Sequence, residues 1–129
     1  MISVDTNVIV RLLTGDDPVQ FQKAKALFEK EHILITSSVM LECEWVLRYA
    51  YHFNPLEIGE AFLSLFGLSN VRLQDASAIH NALLWHKQGM DFADAIHLAN
   101  SQDSESFITF DKKLIKSASK IINFFVKEP

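Results

Sequence analysis

MISVDTNVIVRLL, residues 1–13, opens with a short apolar β-like run, Ile2-Ser3-Val4, that ends on a carboxylate, Asp5. The polar pair Thr6-Asn7 follows, and a helix-like apolar segment begins at once. A carboxylate at such a junction falls on the C-terminal edge of a sheet, where open α/β proteins hold their ligands. A strand end inside an apolar run seldom carries an acid without a partner. Asp5 is therefore the first candidate functional residue.

The alternation continues along the chain. Residues 2–5, 33–36, 71–73, 107–109 and 121–126 read as strands. Residues 8–13, 18–30, 39–51, 55–66, 76–87, 92–100 and 112–119 read as helices between them. Pro18 suits a helix start, Ser37-Ser38 suits an N-cap, and Asp75, Asp91 and Asp111 each precede a helix as caps. Gly89 suits a helix stop. Strands alternating with helices predict an α/β fold, a three-layer α/β/α sandwich around a central parallel sheet of four to five strands. A chain of 129 residues without repeat or linker predicts one domain over residues 1–129.

Composition narrows the class. Apolar residues make up 49 % of the chain, as in a globular protein. The formal charge of −4 gives no global pull on nucleic acid, although local charge decides contact. Lys112, Lys113, Lys116, Lys120 and Lys127 gather near the end, either to hold phosphates or as a solvated helix face. The single cysteine, Cys43, excludes an internal disulfide and a Cys-rich zinc site, and reads best as a buried small residue. No basic leader precedes the first apolar stretch, and no run approaches the ~20 apolar residues of a membrane span. The expectation is a soluble protein of the reducing cytoplasm. The segment 39–66 carries Trp45, Tyr49, Tyr51, Phe53, Phe62 and Phe66, more aromatic surface than one small core needs, so part of it could form an interface.

Four more acids fall where the pattern could bring them to the edge that holds Asp5. Glu42 lies in the early turns of the helix after the second strand. Asp91 and Asp94 are three apart and share a helix face. Asp111 follows the fourth strand. Each has an ordinary explanation: Asp91 and Asp111 as caps, Glu42 as an exposed side chain. Asp94 is harder to dismiss in the apolar context Phe92-Ala93-Asp94-Ala95-Ile96. Together they describe an oxygen-ligand site suited to Mg²⁺ or Mn²⁺ and not to zinc. Such an ion activates water and steadies charge on a phosphoryl oxygen. Thr6, Asn7 and Thr109 could orient the carboxylates or a water. The five histidines show no ligand spacing, though His97 stands three after Asp94. No Ser-His-Asp order and no phosphate-cradling glycine loop is present.

VDTNVIVRLL, SSVMLECEWVLR, DFADAIHLA and FITFDKKL, in that order between residue 2 and about residue 126, resemble the PIN-domain family, and most nearly its VapC-type toxins from bacterial toxin–antitoxin pairs. The resemblance implies a parallel sheet sandwiched by helices and an Mg²⁺- or Mn²⁺-dependent endoribonuclease. It maps the family's acidic quartet onto Asp5, Glu42, Asp94 and Asp111, with Asp91 as a further carboxylate. In the fourth motif many relatives carry Asn where this chain has Asp111. The resemblance also implies an RNA substrate, a cognate antitoxin that covers the site, and a toxin dimer. Two other classes compete. A metal-dependent phosphatase of the haloacid-dehalogenase type needs a second Asp two residues after the first, and Asn7 stands there. A non-catalytic PIN-like binding module has no need of an intact acid set.

Overall fold

The computed structural model describes residues 1–129. It divides into two compact units, Met1–Ala76 and Ser77–Pro129. In the first unit, β1 (Ile2–Ser3), β2 (Ile33–Ile35) and β3 (Val71–Leu73) form a parallel sheet in the order β1-β2-β3. The helix pair α1 (Thr6–Thr14) and α2 (Pro18–Lys30) joins the first two strands, and α3 (Ser37–Tyr51) with α4 (Pro55–Phe66) joins the second and third. Sequential strand order with right-handed crossovers places both helix pairs on one face of the sheet. Accordingly α1 packs against both α2 and α3. The shared core is made by Ile9, Ile33, Ile35, Met40, Leu47 and Phe62, all buried.

Register sets the sheet edge. Ile2 pairs with Ile33 and Ser3 with Leu34. Continued past the last pair, Asp5 stands level with Thr36. Both residues are N-caps: the Asp5 carboxylate accepts from the Thr6 amide at 2.7 Å, and the Thr36 hydroxyl accepts from the Val39 amide at 3.4 Å. The expected Ser37-Ser38 cap lies one residue earlier, because Thr36 already has the extended backbone a cap needs. The helices α1 and α3 thus start from the same edge. Gly15, at φ 64, ends α1, and Asp17 caps α2 through its carboxylate to the Val19 and Gln20 amides.

In the second unit, α5 (Ala76–Lys87) and α6 (Phe92–Ala99) are followed by β4 (Phe107–Ile108), α7 (Lys112–Ile121) and β5 (Val126–Lys127). The two strands pair in parallel, Phe107 with Val126 and Ile108 with Lys127. All five expected strands exist, but as a sheet of three and a pair, not as one sheet of four or five. The closing strand lies at Val126–Lys127 and not over residues 121–126. The helix extends to Ile121, where the extended Ile122 caps it by donating to the Ala118 carbonyl, and the two-residue β4 can pair only two residues. Asp75 does not cap α5 as expected. It adopts a left-handed backbone, φ 54, in the turn before the helix. No helix is long and apolar enough to cross a membrane.

Candidate metal-binding and nucleic-acid site

The first unit brings Asp5 and Glu42 to one cavity of about 330 Å³, whose wall also includes Thr6, Asn7, Arg11 and Tyr51. Glu42 reaches it from α3, one and a half turns past the Thr36 cap. The helices are tied there by the Cys43 thiol, 3.9 Å from the Thr6 carbonyl. Cys43 is buried, and its thiol is pushed up to about 12 by burial and then by the charges of Glu42 and Asp5. Burial and these two charges disfavour the thiolate, the form that acts as nucleophile or metal ligand.

Two groups at this cavity have bonding capacity to spare. Asp5 spends one carboxylate oxygen on its cap, which leaves the other available. The Thr6 hydroxyl is buried, 5 % exposed, and has no hydrogen-bond partner. A buried hydroxyl left in that state costs roughly 1–3 kcal/mol unless a ligand or water completes it.

The second unit gathers the other acids. Asp91 caps α6 by accepting from the Asp94 amide at 3.1 Å, and Asp111 caps α7 by accepting from the Leu114 amide at 3.1 Å. The ordinary reading of both residues as caps is therefore correct, and each keeps a second oxygen free. The Thr109 hydroxyl accepts from the Asp111 amide at 3.0 Å and so fixes the backbone that aims this carboxylate. Asp94 caps nothing. Its carboxyl is held above the usual range by burial first, then by the charges of Asp91 and Asp111, while His97 and Lys113 pull the other way. His97 and one lysine of the late cluster thus act on the acids electrostatically.

Asp91 stands where it does because of the turn before it. Gly89, at φ 111, takes a backbone that side chains avoid, and the His86 ring reaches the Met90 carbonyl at 2.9 Å. His86 is buried, edge-on to Phe92, and closes this turn.

Sequence reasoning missed Arg11 and the hydrogen-bonding role of Tyr51. Arg11 donates through Nη1 to the Tyr51 hydroxyl at 2.9 Å and to Asp16 at 3.1 Å, and through Nε to Gln20 at 2.7 Å. The Tyr51 hydroxyl donates to Asp16 at 2.5 Å. That bond is the main reason the Asp16 carboxyl is held low; burial works against it, and Thr14 and Arg11 add to the lowering. Asn7 and Arg11 are four apart on one helix face, a spacing that could have brought Arg11 to notice. Glu44 was missed as well. It is buried, 1 % exposed, and held by Arg48 at 2.8 and 3.2 Å.

The PIN domain family model matches residues 2–120, across both units, and the chain belongs to that family. PIN domains generally work with a divalent metal. Among solved structures, the chain is similar to VapC20 of Mycobacterium tuberculosis, described as a toxin that cleaves the sarcin–ricin loop. The likeness covers 97 % of this chain and 99 % of that one, at 19 % identity and a TM-score of 0.46. No curated protein matches the chain.

In the first unit, the spare Asp5 oxygen and the orphaned Thr6 hydroxyl are oxygen donors of the kind a hard divalent ion takes; in the second, Asp91 and Asp111 each keep an oxygen of the same kind. No three His, Cys, Asp or Glu side chains already converge at metal-holding distance.

Proposed function

We propose that this chain is a metal-dependent endoribonuclease and acts as the toxin of a type II toxin–antitoxin pair, a single domain working in the cytoplasm. The observation that carries the reading is the cavity shared by Asp5 and Glu42, with the unpartnered Thr6 hydroxyl in its wall. The order of the four motifs extends it to Asp94 and Asp111, with Asp91 as a further carboxylate.

In this account Asp5, Glu42, Asp94 and Asp111 hold Mg²⁺ or Mn²⁺ and are all required for cleavage. When bound, the ion supplies the positive charge that acidifies a water and steadies a phosphoryl oxygen. The capping bonds of Asp5 and Asp111 fix one oxygen of each carboxylate, so the other is presented in a set direction. Thr109 holds the Asp111 backbone, while Thr6 and Asn7 face the cavity and orient a water or carboxylate. Asp94, crowded by Asp91 and Asp111, is the carboxyl with most to gain from a cation. The products are those of hydrolysis: water adds to phosphorus, one P–O bond of the chain breaks, and the leaving oxygen takes a proton.

The antitoxin supplies an Arg or Lys to the same carboxylates in place of the metal, since guanidinium meets carboxylate in bidentate fashion. Trp45 and Tyr49 on α3, and Leu56 and Leu63 on α4, are each more than half exposed. This apolar surface favours a protein partner, the antitoxin or a second copy in a homodimer. Phe62, by contrast, is core.

The test is incubation of the purified protein with RNA in Mg²⁺, Mn²⁺ or EDTA. Cleavage with either ion and none in EDTA is expected. Cleavage of a small phosphoester with no action on RNA would replace the reading with the phosphatase.

A further inference from the structure

A second cavity, of about 290 Å³, lies between α1 and α2. Asn7 and Arg11 line both this cavity and the one that holds Asp5 and Glu42, so the two adjoin. Its floor is apolar: Val8 from α1, Ala24 and Leu27 from α2. Its rim is polar and basic: Arg11, Gln20 and Lys23.

The local sequence explains why Arg11 is a fixed wall and not a waving side chain. Gly15 turns the chain back after α1, and Asp16 folds onto Arg11 and Thr14. Tyr51 closes the network from α3. Nε and Nη1 of Arg11 are taken by these partners, whereas Nη2 has none in the protein. Lys23 is exposed and makes no ion pair. The amide nitrogen of Gln20 is unengaged, because its oxygen alone receives Arg11.

We infer that the α1–α2 cavity is a nucleotide subsite, which takes one unstacked nucleotide of the RNA next to the bond cleaved at Asp5 and Glu42. This rests on the ribonuclease reading and extends it. The free Nη2 edge of Arg11 and the Lys23 ammonium hold the phosphate, the former as a planar donor and the latter as a point charge. The base lies over Val8 and Leu27, and the Gln20 amide faces its edge. Single-stranded RNA is read in this manner, by splayed bases set on apolar or planar surfaces and by hydrogen bonds to their edges. An apolar protein side chain would fill the floor equally well. It would bring no anion to the basic rim of Arg11 and Lys23, whereas RNA brings a phosphate, and so RNA is the better occupant.

The experiment measures binding and cleavage separately. Fluorescence anisotropy of a labelled single-stranded RNA, in EDTA and over a range of salt, reports binding without turnover. Lys23→Gln should weaken binding severalfold and reduce the slope of log K against log salt by about 0.7, the value for one phosphate contact on a single strand. Leu27→Trp, which fills the cavity, should weaken binding with the salt slope unchanged. Arg11→Lys, which keeps the charge but loses the planar fork, should fall between wild type and Arg11→Gln. Melting curves check that each variant is folded, and Lys23 is exposed enough to be replaced safely. If Lys23→Gln and Leu27→Trp both bind RNA as wild type does, the subsite is overturned, and the cavity faces an apolar protein side chain instead. If the variants behave as expected but Mn²⁺ produces no cleavage, the ribonuclease reading fails while RNA binding in the cavity stands.

Discussion

The Cys43 thiol lies 3.9 Å from the Thr6 carbonyl, across 37 residues of chain, and this contact fastens the helix that carries Glu42 to the helix that Asp5 opens. The two acids share a cavity because their helices begin at the same sheet edge and the first residue of α1 meets the second turn of α3. The thiol contributes packing at this point, and no chemistry. Cys43→Ala should therefore leave RNA cleavage intact and destabilise by about 1 kcal/mol through the small void it opens. Cleavage rate and chemical denaturation measure the two; loss of cleavage in a folded Cys43→Ala protein would contradict the assignment.

Asp111 has two functions that substitution can separate. Asn caps a helix as well as Asp does, whereas Ala does not. Asp111→Asn should melt near wild type and Asp111→Ala about 1 kcal/mol lower, with both losing cleavage. A cleavage rate that follows the melting temperature would make Asp111 a cap only.

Arg48 neutralises a carboxylate that has almost no access to water. Removing it leaves Glu44 charged, buried and unpaired, which destabilises on the order of 3 kcal/mol. Arg48→Met should unfold at markedly lower denaturant, and Glu44→Gln combined with it should recover part of the loss. Equal midpoints for Arg48→Met and wild type would show that Glu44 finds water in solution.

Asp94 gives a pH dependence whose sign is set by its raised carboxyl. The folded protein binds this proton more tightly than the unfolded chain. The penalty is thus fully present above the folded pKa and is relieved as pH falls toward the ordinary carboxylate value. Asp94→Asn should raise the metal-free melting temperature at neutral pH, and this gain should shrink as the pH is lowered through that window. Metal binding only the folded wild type adds ~2.7 kcal/mol at a hundredfold excess over Kd, most of which the variant should forfeit. Melting in EDTA and in Mn²⁺ at two pH values decides it. A variant less stable than wild type in EDTA, with the same Mn²⁺ gain, would make Asp94 structural.

Much of the arrangement could be read in the chain. The strand–acid–helix junction at Asp5 and the order of strands and helices carry strong local signals, because apolar period and capping residues act within a few positions. The split into a three-stranded sheet and a separate pair could not be read, since strand pairing depends on contacts distant in sequence. The closing strand was misplaced because residues 121–126 are apolar enough to read as a strand, yet Ile121 still belongs to the helix, Ile122 is its extended cap, and pairing begins only at Val126. Asp75 has the chemistry of a cap, but its left-handed backbone belongs to the preceding turn. Arg11 and Glu44, and the hydrogen-bonding role of Tyr51, escaped notice for one reason. Their importance lies in partners and burial, and two of them look like ordinary surface charges in sequence.

The central claim is that the charge on Asp5 is needed for metal-dependent RNA cleavage, independently of its cap. Asp5→Asn keeps an N-cap and removes only that charge. The measurement is the single-turnover rate of RNA cleavage in Mn²⁺ for wild type and Asp5→Asn, with wild type repeated in EDTA. The account predicts a loss of several orders of magnitude in the variant, in a protein that melts like wild type, and no cleavage in EDTA. A wild-type rate for Asp5→Asn, or undiminished cleavage in EDTA, would contradict it.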